Sequence, residues 1–143
     1  MKVKKILISV TILVSIVLTL LMLFTIYMLN SNAIDNINPI AKNSMLKTTL
    51  VWGRLAPIPM SRTDFNIRTE GSPFTRSFRS SFYLPKADLE KWIIASPGLV
   101  DSSNEVINNS TQKYIIKPGG GAQYAEVVID SEKCFVEIYV CWS

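Results

Sequence analysis

From residue 6 to residue 29 every side chain is apolar or a small hydroxyl apart from Tyr27, and no charge, glycine or proline interrupts the run. As a helix rising ~1.5 Å per residue it reaches ~36 Å, enough to cross a ~30 Å hydrocarbon core with some tilt. The hydroxyls of Ser9, Thr11, Ser15, Thr19 and Thr25 can bond to backbone carbonyls one turn back. The pattern therefore predicts a transmembrane helix over 6–29. Residues 30–47 hold Asn30, Asn32, Asn36, Asn38 and Asn43 around Pro39 without a sustained period, and read as a stalk. At Thr48 the composition turns aromatic and β-branched, so 48–52 reads as a short strand ahead of Ala56-Pro57-Ile58-Pro59 and marks the start of a folded domain, 48–143.

Within that domain 65–69 is a short strand candidate. Over 74–84, Phe78, Phe82 and Leu84 alternate with Ser77, Arg79 and Ser81, the period-two signature of a half-buried strand. Pro85 ends it, and over 86–95 Leu89, Trp92 and Ile93 fall at helical spacing, with Asp88 and Glu90 near the N-terminal end. Ser96-Pro97-Gly98 stops this helix, whose Trp92 should lie on the sheet. Residues 99–112 read as a polar loop, 113–117 as a short strand, and Pro118-Gly119-Gly120-Gly121 as a break. The segments 123–130 and 134–142 form a hairpin, with Ala125, Val127 and Ile129 on one face and Val136, Ile138, Val140 and Trp142 on its partner's. A two-residue turn would set Glu126 against Glu137, an unfavourable like-charge pair, whereas a loop over 131–134 sets Glu126 against Tyr139 and is preferred. The predicted class is α+β: a transmembrane helix, then a small antiparallel sheet with one packed helix, in the order β-β-α-β-β-β.

Lys2, Lys4 and Lys5 precede the apolar run, and the first charge after it is Asp35. This asymmetry predicts a five-residue cytoplasmic tag and an exported C-terminal domain, periplasmic or extracellular, in a single-pass inner-membrane protein. A cleavable signal peptide competes, because Ser31 and Ala33 suit a cleavage site, but signal cores usually run only ~7–15 residues. A retained anchor is the preferred reading. Setting the three tag lysines aside leaves 12 of the 15 basic residues against 11 acidic ones, a formal charge of +1. The alkaline pI of the chain is thus no sign of nucleic-acid binding.

The chain contains no histidine. That removes Ser-His-Asp and Cys-His nucleophiles, His-containing zinc sites and the usual neutral-pH proton shuttle. Cys134 and Cys141 on one strand would lie about 23 Å apart at ~3.3 Å per residue, too far for the ~7 Å a disulfide tolerates, so free thiols and no metal site are expected. Arg54, Arg62, Arg68, Arg76 and Arg79 form an all-arginine run suited to anions or an acidic partner, with solvated strand faces as the plainer reading. Arg76 shares the face of Phe78 and Phe82 and is expected at the sheet rim or in a buried pair. The Gly119-Gly120-Gly121 run lacks the Lys-Ser/Thr of a phosphate loop and reads as a turn. The glycosylation triplets at Asn108 and Asn109 carry no argument. In the anchor, Thr11, Ser15 and Thr19 share a face at four-residue spacing, a pattern that lets two helices approach closely. A type IV pilin is excluded, because the glycine before the apolar run and the glutamate just inside it are missing.

The Pro-rich lead from Pro57, the Glu70-Gly71-Ser72 strand end, Phe74-Thr75-Arg76-Ser77-Phe78, and Leu89-Glu90-Lys91-Trp92 running into Ser96-Pro97-Gly98-Leu99 resemble small bacterial exported proteins to which no activity is attached. The Gly119–Ala125 turn and terminal hairpin are similar to the same pattern continued. The resemblance implies an exported bacterial location and a compact domain, and carries over no catalytic residue. The expected role is a membrane-tethered, non-catalytic interaction or ligand-binding domain without cofactors, its partners the bilayer, another envelope protein or a second copy through the anchor. A carboxylate-dependent envelope hydrolase and a periplasmic immunity-type protein are the alternatives.

Overall fold

Asn38 and Pro39 divide the N-terminal third into two helices. In the computed structural model, which describes the backbone of residues 2–71 and 75–142, helix α1 runs Lys2–Ile37 and α2 runs Pro39–Gly53. Side chains 2–9, 28, 29, 31–35 and 37 are outside the description. The Asn38 side chain accepts the Ile40 N–H at 3.0 Å and Pro39 takes the first helical turn, where its missing N–H is harmless. Residues 30–47, read as a stalk, are thus helical apart from Asn38, and the expected strand over 48–52 is helical too. In α1, Val10–Tyr27 is exposed along its whole length and is apolar enough to cross a membrane.

A six-stranded antiparallel sheet follows: β1 Thr63–Glu70, β2 Arg76–Tyr83, β3 Ser103–Val106, β4 Thr111–Ile116, β5 Tyr124–Asp130 and β6 Phe135–Trp142, in spatial order β1-β2-β6-β5-β4-β3. Between β2 and β3 lie α3, Lys86–Ala95, and the short α4, Pro97–Val100. The α+β class is as expected, but β3 and α4 occupy the supposed loop over 99–112, so the order after α2 is β-β-α-α-β-β-β-β. Phe74, the first residue of the expected second strand, lies outside the described residues. The β5–β6 register places Glu126 opposite Tyr139 and Glu137 opposite Val128, with 131–134 as the connecting turn. Asp130 Oδ1 closes that turn by accepting the Glu132 and Lys133 N–H groups, and Cys134 leaves it with φ 54°.

The helices cover one face of the sheet. Ile67, Phe78, Phe82, Ile116, Val127, Ile138 and Val140 point into this core with Met45, Leu89 and Trp92 from the helices. Trp92 meets Phe82 edge-on at 5.6 Å and donates its indole N–H to the Ala56 carbonyl at 3.0 Å. Burial of each of these rings contributes about 2–3 kcal/mol. At the C-terminus of α2 the backbone approaches closely: Gly98 N–H bonds to Arg54 O at 2.8 Å and Gly119 N–H to Trp52 O at 2.9 Å. A Cβ on Gly98 would lie 2.1 Å from Gly53 O.

Candidate functional site

Strand alternation sends the other half of the side chains to the face that no helix covers. Cross-strand pairing gathers a charged and aromatic cluster at its centre. Arg79 on β2 donates to Glu70 on β1 at 3.1 Å and to Glu137 on β6 at 2.6 Å, and its guanidinium lies 4.8 Å from the centroid of the Tyr139 ring. Arg68 closes on Glu70 at 2.9 Å, so the two arginines that face one another across β1 and β2 share one carboxylate. On the far side of Tyr139, Glu126 takes the Lys113 ammonium at 2.6 Å and the Tyr124 hydroxyl at 2.5 Å. The rings of Tyr124 and Tyr139 sit 6.3 Å apart.

The charges hold one another. Burial works against the Arg79 cation, but the hydrogen bond and charge of Glu70 and the field of Glu137 outweigh it and raise its pKa. Burial alone would push Glu126 up; the Lys113 ion pair and the Tyr124 hydroxyl overcome it and hold the carboxyl below its ordinary value. The same contacts raise Lys113 and, through its bond to Glu126, Tyr124. With the side chain of Glu126 17% exposed against 31% for Glu70 and 34% for Glu137, it is the most enclosed of the three acids in this cluster.

The five arginines do not converge. Arg68 and Arg79 enter this face, whereas Arg54 lies across the sheet at the end of α2, where it takes the left-handed C-cap (φ 52°) and pairs with Asp101 at 2.5 Å. Arg62 stacks 5.0 Å from the Phe65 centroid and donates to the carbonyls of Ile58 and Pro59. Arg76 is exposed at the start of β2 opposite Trp142, at the rim and not in a buried pair, the other placement expected for it. The glycine run is a turn that closes on α2, with its Gly119 N–H already used. Glu126 and Glu137 are diagonal neighbours engaged by different cations, not a facing pair. Cys134 and Cys141 are free, and no group of metal-ligating residues occurs among the described residues. Thr11, Ser15 and Thr19 line one groove on α1 with Val14, Leu18 and Met22.

Glu70, Lys113, Tyr124 and Tyr139 were not singled out from the sequence. The available signal was the two-residue spacing of Arg68 with Glu70 and of Tyr124 with Glu126, which puts each pair on one strand face. No family model matches the chain, and neither the curated proteins nor the solved structures contain a match.

Proposed function

We propose that this chain is a single-pass, membrane-tethered, non-catalytic interaction domain of the bacterial envelope, its N-terminus cytoplasmic, whose uncovered sheet face receives a partner protein. The carrying observation is the prearranged cluster of Arg68, Arg79 and Lys113 with Glu70, Glu126 and Glu137 around Tyr124 and Tyr139. Arginine and tyrosine are enriched among the residues that dominate protein interfaces, and side chains already held in place lose little entropy on docking. Glu126 does not suit the general acid of a hydrolase, which needs a raised carboxyl, because its own is lowered. Tethering is supported by the exposed apolar span of α1, and its orientation by the lysines before the span.

The test is site-specific photocrosslinking in intact cells, with the crosslinker at Ser81 or Val128 on the uncovered face and at Glu90 on α3 as comparison. One defined adduct from the sheet positions, lost when Tyr139→Ala and Arg79→Ala are combined and the fold is retained, supports the reading. Equal adducts from Glu90, or none from the sheet, would refute it.

A further inference from the structure

The strand-end at which α1 meets the sheet carries a second surface, which adjoins the cluster at Glu70 and Tyr124. Asn36, in the last turns of α1, bonds to the Thr69 backbone near the end of β1. The register runs from that point through Ser77 paired with Glu70, Cys141 with Ser77, Tyr124 with Cys141, and Ala125 with Ile116. Arg76, Trp142 and Lys117 therefore stand at the same end of the sheet as Thr69. All three are exposed, with Arg76 directly opposite Trp142, a residue 47% exposed. Val51, 60% exposed, borders this end where α2 meets Gly120.

The chain itself brings a membrane to this rim. The apolar run ends at Leu29, and the rise from there to Asn36 is ~10 Å at ~1.5 Å per residue. Headgroups occupy about 5–7 Å of that interval on each side of the hydrocarbon core. An exposed Trp flanked by cations is the side-chain set that settles at this level, ring among the glycerol groups and cations on phosphate.

We propose that the domain seats on the lipid surface through this strand-end, with Arg76 and Lys117 on headgroup phosphates and Trp142 in the interfacial layer, leaving the charged sheet face turned sideways and free. The proposal rests on the tethered reading above. Its test uses the full chain in vesicles of phosphatidylcholine alone or mixed with phosphatidylglycerol, each carrying a headgroup spin label. Tryptophan emission should be quenched, and Trp142→Phe should remove most of that quenching, because Trp92 is buried and Trp52, beside Gly120 at the same end, is half-buried. Combining Arg76→Gln with Lys117→Gln should weaken it in the anionic vesicles, each charge being worth about fivefold in surface affinity. In a Trp142→Phe background, Tyr83→Trp at the opposite strand-end should stay unquenched. Three results overturn the proposal: quenching unaffected by Trp142→Phe, quenching indifferent to the cation variants, or quenching at position 83. If the chain floats with the vesicles in those cases, the tether stands and only the seat fails; a chain that does not float removes both.

Discussion

The side-chain amide of Asn36 occupies the free edge of β1 as a strand partner would: its Oδ1 accepts the Thr69 N–H at 2.7 Å while its Nδ2 reaches the Thr69 carbonyl at 3.5 Å. Unpaired edge groups invite association with other chains, and here the helix that precedes the sheet covers one of them. Because Thr69 is buried, Asn36→Ala should leave its N–H unsatisfied at a cost of about 1–3 kcal/mol. Asn36→Asp keeps the acceptor and should cost less. Thermal melts of the full chain in detergent, with amide exchange at Thr69, check this; an Ala variant with unchanged melting and protection would show that the contact contributes nothing.

The same region shows why the sequence was legible only in part. Strands β2, β5 and β6 and helix α3 were visible because alternation or helical spacing of large apolar residues marked each. Helix α2 carries no such stripe: its buried positions are Met45, Thr49 and Gly53, one apolar residue, one hydroxyl bonded back to Met45 O, and one glycine. Small residues let the helix lie close to the sheet, and in doing so they erase the hydrophobic pattern. Asn38 and Pro39 suit a helix start, but no apolar period follows them to mark the helix. Strand β3 is exposed at every position and forms as the partner of β4, so nothing local announces it. The site was half legible: Arg68 and Arg79 were candidates, but pairing Arg79 with Glu137 requires β2 to lie beside β6, a long-range adjacency that local patterns do not encode.

Where α2, α4 and the glycine turn meet, close packing makes an asymmetric forecast. Gly98→Ala drives a methyl into Gly53 O and breaks the bond to Arg54 O, and should cost about 3 kcal/mol, the upper end for overpacking. Gly121→Ala meets nothing within 4 Å and pays only for its positive φ of 85°, about 1–2 kcal/mol. Denaturant midpoints for the two variants decide it; a Gly98 variant as stable as the Gly121 variant would mean that the α2 terminus is not closed in this way.

Acid should reveal the Glu126 cluster. A carboxyl held below its ordinary value of 4.5 contributes stability that is present above that pH and is lost as pH falls through the depressed value. Glu126→Gln should thus be less stable than the native chain at neutral pH, by about 1 kcal/mol, with the gap closing below about pH 4.5. Asp130, also lowered by the backbone N–H of Lys133, titrates alike in both proteins and cancels from the difference. On the alkaline side Lys113 is raised from 10.5, so its contribution persists below that value and fades only as pH rises through the folded pKa. A native-minus-variant difference that stays constant from neutral pH into acid would remove the Lys113–Glu126 pair from the account.

The apolar span of α1 offers the last forecast. Thr11, Ser15 and Thr19 leave a groove of about 370 Å³ along α1, and the Thr19 hydroxyl is turned inward onto the Ser15 carbonyl at 2.9 Å, which lowers the ridge on that side. Because lipid tails are as apolar as leucine, helices in a bilayer associate through close approach, not through hydrophobic burial. Ser15→Ile fills the groove without adding a polar group, and energy transfer between labelled full-length copies in vesicles should show association about tenfold weaker, the scale of 1–2 kcal/mol. Leu13→Ile, on the far side of the helix, should leave the signal where it was. Equal energy transfer in the native chain and both variants would assign the hydroxyl stripe to polar residues tolerated in lipid, and the tether would then act as a single helix.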